Sequence, residues 1–255
     1  MAANMTSAGR APISVVLATY NGERFLADQL ASILAECGPD DEVLILDDGS
    51  RDGTLAILEG FRDGRLRIER NVRNLGPKRT FGRGLAMARH GTIFLADQDD
   101  LWLPGRIAVM LAALDDARAD VVFTNATYID ADGHPVSFPM PPLIASQSRD
   151  RLGNLMRIFL GRAGYYGCAM ALRADFRALL LPIPRVMESH DLWTALVANA
   201  VGRLVHLDAV TLQRRIHGSN VSVIRRRLPD RVQARVRFAV ALGLGCVRRL
   251  WRASV

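Results

Sequence analysis

The chain has 255 residues, 49% of them apolar, which suits one large domain with a proper core and excludes a disordered, collagen-like or coiled-coil protein. Its net charge is +7, and every basic residue except Lys78 is an arginine; such a chain attracts phosphates, nucleic acid or anionic lipid. Cys37, Cys168 and Cys246 are odd in number and lack metal-ligand spacing, so a disulfide framework and a structural zinc site are excluded and a reducing compartment fits.

Residues 1–10 show no charged segment followed by a sustained apolar run, so no signal peptide is expected and they are read as a flexible N-terminus. The β-branched run at 13–18 has buried-strand length, and Phe25, Leu26, Leu30, Ile33 and Leu34 then recur at helical spacing. Residues 43–46 read as a second strand ended by Asp47-Asp48-Gly49-Ser50, with Asp52 placed to cap a helix through Leu58 and Phe61. A third strand is expected at 66–69, a helix at 80–89 and a fourth strand at 92–96. Strands alternating with helical crossovers predict an α/β fold, a mostly parallel central sheet with helices on both faces.

Beyond a strand at 121–124 the order is less regular, with a turn at 130–133 and a Pro-containing loop at 137–150 that reads as a flexible lid. Residues 223–255 mix arginines with apolar residues and read as a basic, amphipathic helical tail, suited either to an anionic membrane surface or to packing on the domain. The longest apolar run, 238–247, is about half of the roughly 18 to 20 residues that a membrane-spanning helix needs. No recognition fold for nucleic acid is evident, and aromatic residues make up only 6%.

In a parallel sheet ligands collect at the carboxyl ends of the strands, and polar clusters fall there after the first, second and fourth strands. Three carboxylates in Asp97-Gln98-Asp99-Asp100 emerge together, where repulsion is costly unless a hard cation lies between them. Acids near a helix start are also ordinary, and Pro104 opens a helix, but that accounts for one acid rather than three. Asp191 has two readings, the cap of a helix at 192–201 or a carboxylate able to take a proton. Gly82-Arg83-Gly84 lacks the third small residue and the strand-to-helix context of a dinucleotide fingerprint.

The ordered set Ala18-Thr19-Tyr20-Asn21-Gly22, Asp47-Asp48-Gly49-Ser50-Arg51-Asp52-Gly53-Thr54, Asn74-Leu75-Gly76 and Asp97-Gln98-Asp99-Asp100-Leu101-Trp102 resembles family 2 glycosyltransferases of the GT-A fold. His190-Asp191-Leu192-Trp193 and His217-Gly218-Ser219-Asn220-Val221 are similar to later motifs of the rhamnosyltransferase-like branch. The resemblance covers 13–222 and implies a GT-A domain at 11–222, with the nucleotide-sugar half at about 11–125 and the acceptor side at about 126–222. It implies that Ala18, Thr19, Tyr20, Asn21, Asp48, Lys78 and Asp97 bind the nucleotide sugar. Asp97, Asp99 and His217 then hold a divalent metal, Mn²⁺ or Mg²⁺, and Asp191 is the catalytic base. Thr80, where asparagine is usual, and Thr124-Asn125, in place of a frequent Ser-Asp, depart from the pattern.

The implied activity is metal-dependent, inverting transfer of a sugar, rhamnose being the leading donor, from a UDP- or dTDP-linked donor to a glycan or lipid-linked acceptor. The implied location is cytoplasmic, on the inner face of a membrane. Two rival classes are a nucleotidyltransferase, which would carry a Gly-rich basic loop where Thr19-Tyr20-Asn21-Gly22 stands, and a non-catalytic membrane-associated partner of a transferase.

Overall fold

The computed structural model describes residues 9–218, 239–240 and 242–250. An eight-stranded sheet forms the middle layer, in the order β3-β2-β1-β4-β7-β6-β8-β5. Strands β1 (Ser14–Thr19), β2 (Glu42–Asp47), β3 (Leu66–Arg70) and β4 (Thr92–Asp97) are mutually parallel, as the alternating pattern predicts. The other half is mixed. Strand β7 (Met170–Arg173) runs antiparallel to β4 and to β6 (Val121–Ile129), β8 (Leu204–Arg215) is parallel to β6, and the two-residue β5 (Leu101–Trp102) is antiparallel to β8. The direction reverses because β7 enters the sheet between β4 and β6 from the opposite end, which a reading based on crossovers does not anticipate.

Alternation along the strands sorts the core into two layers. Val15 and Leu17 of β1 face one side with α1 (Leu26–Glu36), α2 (Thr54–Gly60) and α4 (Arg106–Asp116); Val16 faces the other with α3 (Pro77–Met87), α5 (Arg151–Phe159), α6 (Arg177–Leu180) and α7 (His190–Val201). Helix α3 starts three residues before the expected position because Pro77 suits the first helical turn, where no N–H is needed. Strand β6 runs five residues past its expected end, paired with β8 up to Ile129. The loop read as a lid is anchored near its middle: Leu143 is buried and exchanges two hydrogen bonds with the Asn125 side chain, at 2.8 and 2.9 Å, and Ala145 N–H donates to Asp208 at 2.9 Å.

Of the tail, 239–240 and 242–250 are described and helical. That helix packs on the domain. Leu242 joins the α7 layer, and Arg248 donates to the carbonyls of Leu179, Leu180 and Pro182 at 2.8–3.0 Å while its guanidinium lies 5.3 Å from the Trp193 ring centroid. Among the described residues no helix is long and apolar enough to cross a membrane. Residues 219–238, which hold the arginine run 225–227 and the end of the His217 motif, lie outside the described residues.

The Gly-x-Gly of α3 has a packing explanation. A Cβ on Gly84 would stand 2.3 Å from Val16 Cγ1 and 3.2 Å from Leu46 Cδ2, so the helix lies against β1 and β2 only because the side chain is missing. Gly84→Ala should destabilise the fold by about 1–3 kcal/mol in urea unfolding. Combined with Val16→Ala, which empties the clashing position, the loss should be smaller than the sum of the two; additive losses would show that the helix does not press on Val16.

Candidate active site

The parallel register places Thr19 beside Asp47 and Ala18 beside Asp97, so the carboxyl ends of three strands meet at one edge. Gln98 fixes the turn that follows β1. Its Oε1 accepts from Thr19 Oγ1 and from Tyr20 N–H, each at 2.7 Å, and its Nε2 donates to Tyr20 O at 3.2 Å. Asn21, in the left-handed region at φ 49°, has its N–H on Ser50 Oγ at 2.9 Å and accepts Arg51 N–H at 2.9 Å, which links the turns after β1 and β2. A Cβ on Gly22 would come within 2.5 Å of Gln98 Oε1, so this clamp requires glycine there. Tyr20 remains exposed at the rim.

Asp47 and Asp48 are both buried and hold backbone. Asp47 accepts from the N–H groups of Gly49 and Ser50 at 3.2–3.3 Å. Asp48 accepts from Asn71 Nδ2 at 2.7 Å and from the N–H groups of Leu75 and Gly76 at 2.8 Å each, tying down the Asn74-Leu75-Gly76 segment. A carboxylate has about four acceptor positions, so roughly one is left on Asp48 for a ligand. Asn71, which sequence reasoning passed over, also donates to Thr80 Oγ1 at 3.2 Å, so the unusual Thr80 belongs to this buried network. Lys78 Nζ donates to the carbonyls of Arg185 at 3.1 Å and Met187 at 2.6 Å, an anchor for the segment before α7. Asn125 supplies an amide that reaches the carbonyls of Leu143 and Leu207, which an aspartate cannot do.

Beyond β4 the acids divide into two groups. Asp99 and His217 come together, with imidazole Nε2 and Asp99 Oδ2 2.8 Å apart and side chains 14% and 12% exposed. His217 also lies 4.9 Å from the Phe25 ring. Asp97 is not gathered with that pair: among the described residues its carboxylate groups with Asp100 and Cys168, with one donor atom of each within 4.8 Å of the others. The three proposed metal ligands therefore do not form one compact triad.

Burial, then repulsion from Asp100 and Asp99, pushes the Asp97 carboxyl well above its ordinary range. Burial and the Asp99 charge push Asp100 up to about 7, and burial followed by both acids pushes the Cys168 thiol up as well. A thiol held protonated is a poor metal ligand, so this inner cluster does not suit a hard cation. The partly exposed carboxylate and imidazole of Asp99 and His217 fit one better, with half-buried Asp97 next in line.

Buried arginines, missed in the sequence, balance the acids. Arg214 of β8 stacks on Tyr166 at 4.1 Å; burial opposes its charge, but Cys168, Asp100, Tyr166 and Asp97 together raise its pKa. Arg106 is fully buried and donates to Cys168 O at 2.6 Å and to Thr211 Oγ1, and burial lowers it to about 10. Arg215 gives its backbone N–H to Asp100 Oδ1 at 3.0 Å and its Nε to Asp99 O at 3.1 Å. The available signal was the pair Arg214-Arg215 inside an otherwise strand-like run.

Asp191 sits in the first turn of α7, and the cap is Ser189, whose Oγ accepts from Leu192 N–H at 3.4 Å. Asp191 Oδ1 accepts the same N–H at 2.7 Å, and its charge makes a minor contribution to raising Asp97. His190 is buried and stacked 3.9 Å from Phe81; burial lowers its pKa, and its Nε2 has no hydrogen-bond partner. At the other end of the sheet, a groove of about 500 Å³ beside β2 and β3 is lined by Arg65, Arg67 and Arg89, which pair with Asp63 and Glu42.

Between the ordinary carboxylate value of about 4 and its folded value of about 7, Asp100 keeps a proton in the folded protein that it has lost in the unfolded chain, so its own contribution to metal-free stability falls as pH rises, while His190 and His206, lowered by burial, act in the opposite sense. Asp100→Asn should remove that falling contribution, making the slope of stability against pH more positive in thermal melts taken across the window. An unaltered slope would place the proton uptake elsewhere.

The glycosyl transferase family 2 model matches residues 14–180, more than half of the chain. The succinoglycan biosynthesis protein ExoO of Rhizobium meliloti (strain 1021) is 32% identical over 121 residues, 48% of this chain and 35% of that protein. The putative glycosyltransferase EpsE of Bacillus subtilis (strain 168) is 30% identical over 190 residues, 71% of this chain and 65% of that one. The chain thus spans about a third of the first relative and just under two thirds of the second. S. aureus TarS 1-349 in complex with UDP-GlcNAc superposes with TM-score 0.69 at 22% identity over 90% of this chain and 66% of TarS 1-349; its UDP complex gives 0.66 at 21% over 90% and 65%. These structures share the GT-A-type fold of a curled sheet between helices. With the family model spanning β1 through α6 and the acidic edge at the ends of β1, β2 and β4, the chain belongs to glycosyl transferase family 2.

Proposed function

We propose that the protein transfers a sugar from a nucleoside diphosphate to a hydroxyl of a glycan or lipid-linked acceptor, with inversion at the anomeric carbon. The observation that carries this reading is the pair of Asp99 and His217, 2.8 Å apart beyond the carboxyl end of β4, with Asp191 near enough for its charge to raise Asp97. Residues 11–125 supply the donor half and 126–222 the acceptor half, including α7. The turn of Ala18, Thr19, Tyr20 and Asn21, stiffened by Gln98, frames the base with the remaining acceptor position of Asp48. The names of the TarS complexes with UDP-GlcNAc and UDP support a uridine-type donor. The His190-Asp191-Leu192-Trp193 and His217-Gly218 motifs support a rhamnosyl-type sugar, for which dTDP is the alternative carrier.

The acceptor oxygen attacks the anomeric carbon from the face opposite the phosphate. A new C–O bond forms as the bond to the diphosphate breaks, the bonding electrons leave with the nucleoside diphosphate, and the hydroxyl proton passes to Asp191. Bound beside Asp99 and His217, Mn²⁺ or Mg²⁺ would neutralise the charge that develops on the diphosphate. The buried arginines hold the acidic edge in place, and the low-lying imidazole of His190 stays neutral beside Asp191, adding no positive charge that would weaken the base. ExoO, named for succinoglycan biosynthesis, supports a polysaccharide-building role.

Asp99→Ala should abolish metal-dependent binding of UDP in calorimetry and leave the melting temperature near wild type. Unchanged metal-dependent affinity would remove Asp99 from the metal site. Asp191→Asn keeps size and the bond to Leu192 N–H but cannot take a proton, so turnover should fall roughly 10²- to 10⁴-fold at saturating donor and acceptor. Transfer that continues at the wild-type rate would reduce Asp191 to a helix-start residue.

A further inference from the structure

The net charge is distributed unevenly. Residues 223–255 carry nine arginines and one acid, Asp230, a net of +8, so the preceding 222 residues sum to −1 of the total of +7. The positive field therefore belongs to the tail alone, and the described helix in that tail has two distinct faces.

The inner face is occupied. Leu242 packs into the α7 layer, a Cβ on Gly245 would stand 3.5 Å from Val197 Cγ2, and Arg248 turns its guanidinium inward to three carbonyls and the Trp193 ring. The outer face carries Val240, Leu244 and Val247, spaced by four and three residues and therefore aligned along the helix, and they are 49%, 38% and 62% exposed. Arg249 is exposed on the same helix. An apolar stripe with exposed Arg249 on its helix, in the part of the sequence that carries nine arginines and one acid, suits an occupant that is apolar inside and negative outside. A second copy would bring like charge against like charge, and nucleic acid would leave the stripe in water. The headgroup boundary of an anionic bilayer meets both requirements.

We propose that the outer face of this C-terminal helix is a docking surface for anionic lipid, with Val240, Leu244 and Val247 entering the interface and the tail arginines held at the headgroups. The inner face keeps the helix on α7, so the lipid-facing surface is rigidly joined to the helix that carries Asp191. The proposal concerns association and stands whether or not the chain transfers sugars.

The full chain should sediment with vesicles containing phosphatidylglycerol and stay in solution with pure phosphatidylcholine, and added salt should release it. Val240→Ser with Val247→Ser, both at exposed positions, should weaken that partition about 10-fold or more while the melting temperature stays unchanged. Binding that ignores lipid charge, or a double variant that partitions like wild type, would overturn the proposal. Self-association that the double variant abolishes, without vesicle binding, would assign the stripe to a second copy instead and equally overturn it.

Discussion

Three carboxylates at the end of a buried strand can be held together only against counter-charge, and the fold supplies it from strand β8 and helix α4. Arg214 and Arg106 stand beside the Asp97, Asp100 and Cys168 cluster, and Arg215 ties the backbone of Asp99 and the carboxylate of Asp100 to the far half of the sheet. Strand β8 therefore holds the acidic edge as well as closing the sheet. It lies three places from β4 in the strand order, yet without its arginines the loop after β4 would lose the attraction that keeps its acids in place. The mixed direction of this half follows from the same need, because β8 runs parallel to β6 and brings Arg214 and Arg215 to the level of the β4 carboxyl end.

The polar residues at the edge divide into those that hold neighbouring loops and those that the proposed mechanism uses. Asp47, Asp48, Gln98 and Lys78 spend their hydrogen bonds on backbone groups of neighbouring loops. Rigid turns of this kind place ligands without reorganisation, which is where binding sites gain precision. Asp99, His217 and Asp191 are partly exposed, and Asp97 is half-buried, with its pKa raised by burial and by the charges near it. A charge arriving at Asp99 is therefore felt at Asp97 and Asp100 through the repulsion that already shifts them.

Much of this was legible in the sequence, for identifiable reasons. Strands β1, β2 and β4 are buried on both faces, so their apolar runs are unbroken, and the polar residues at their ends stand out by contrast. The second half was harder to read because β7 has four residues, β5 has two, and β8 carries His206, Asp208, Arg214 and Arg215 in a strand. Those polar residues are paired across space, by Tyr165 for His206 and by the acidic cluster for Arg214, and spacing along one chain does not reveal such partners. The anchoring of the 137–150 loop was hidden for a similar reason, because the two bonds between Asn125 and Leu143 depend on a side chain on β6. Nor does spacing along the chain show that an acid such as Asp48 also holds a loop.

The same distinction bears on the tail. From composition, a basic and apolar segment suits equally a helix packed on protein and one lying on lipid, since both require one apolar face. The described helix has two apolar faces of different character: an inner one closed by Arg248 over Trp193, and an outer one left in solvent. Turning Arg248 inward removes its charge from the outer surface and offsets its desolvation with three carbonyl bonds at the end of α6. An arginine placed there holds the segment joining α6 to α7, and so helps to fix the first turn of α7 where Asp191 sits. The packed inner face and the solvent-exposed outer stripe are then two faces of one element, and that element lies against the helix that carries the proposed base.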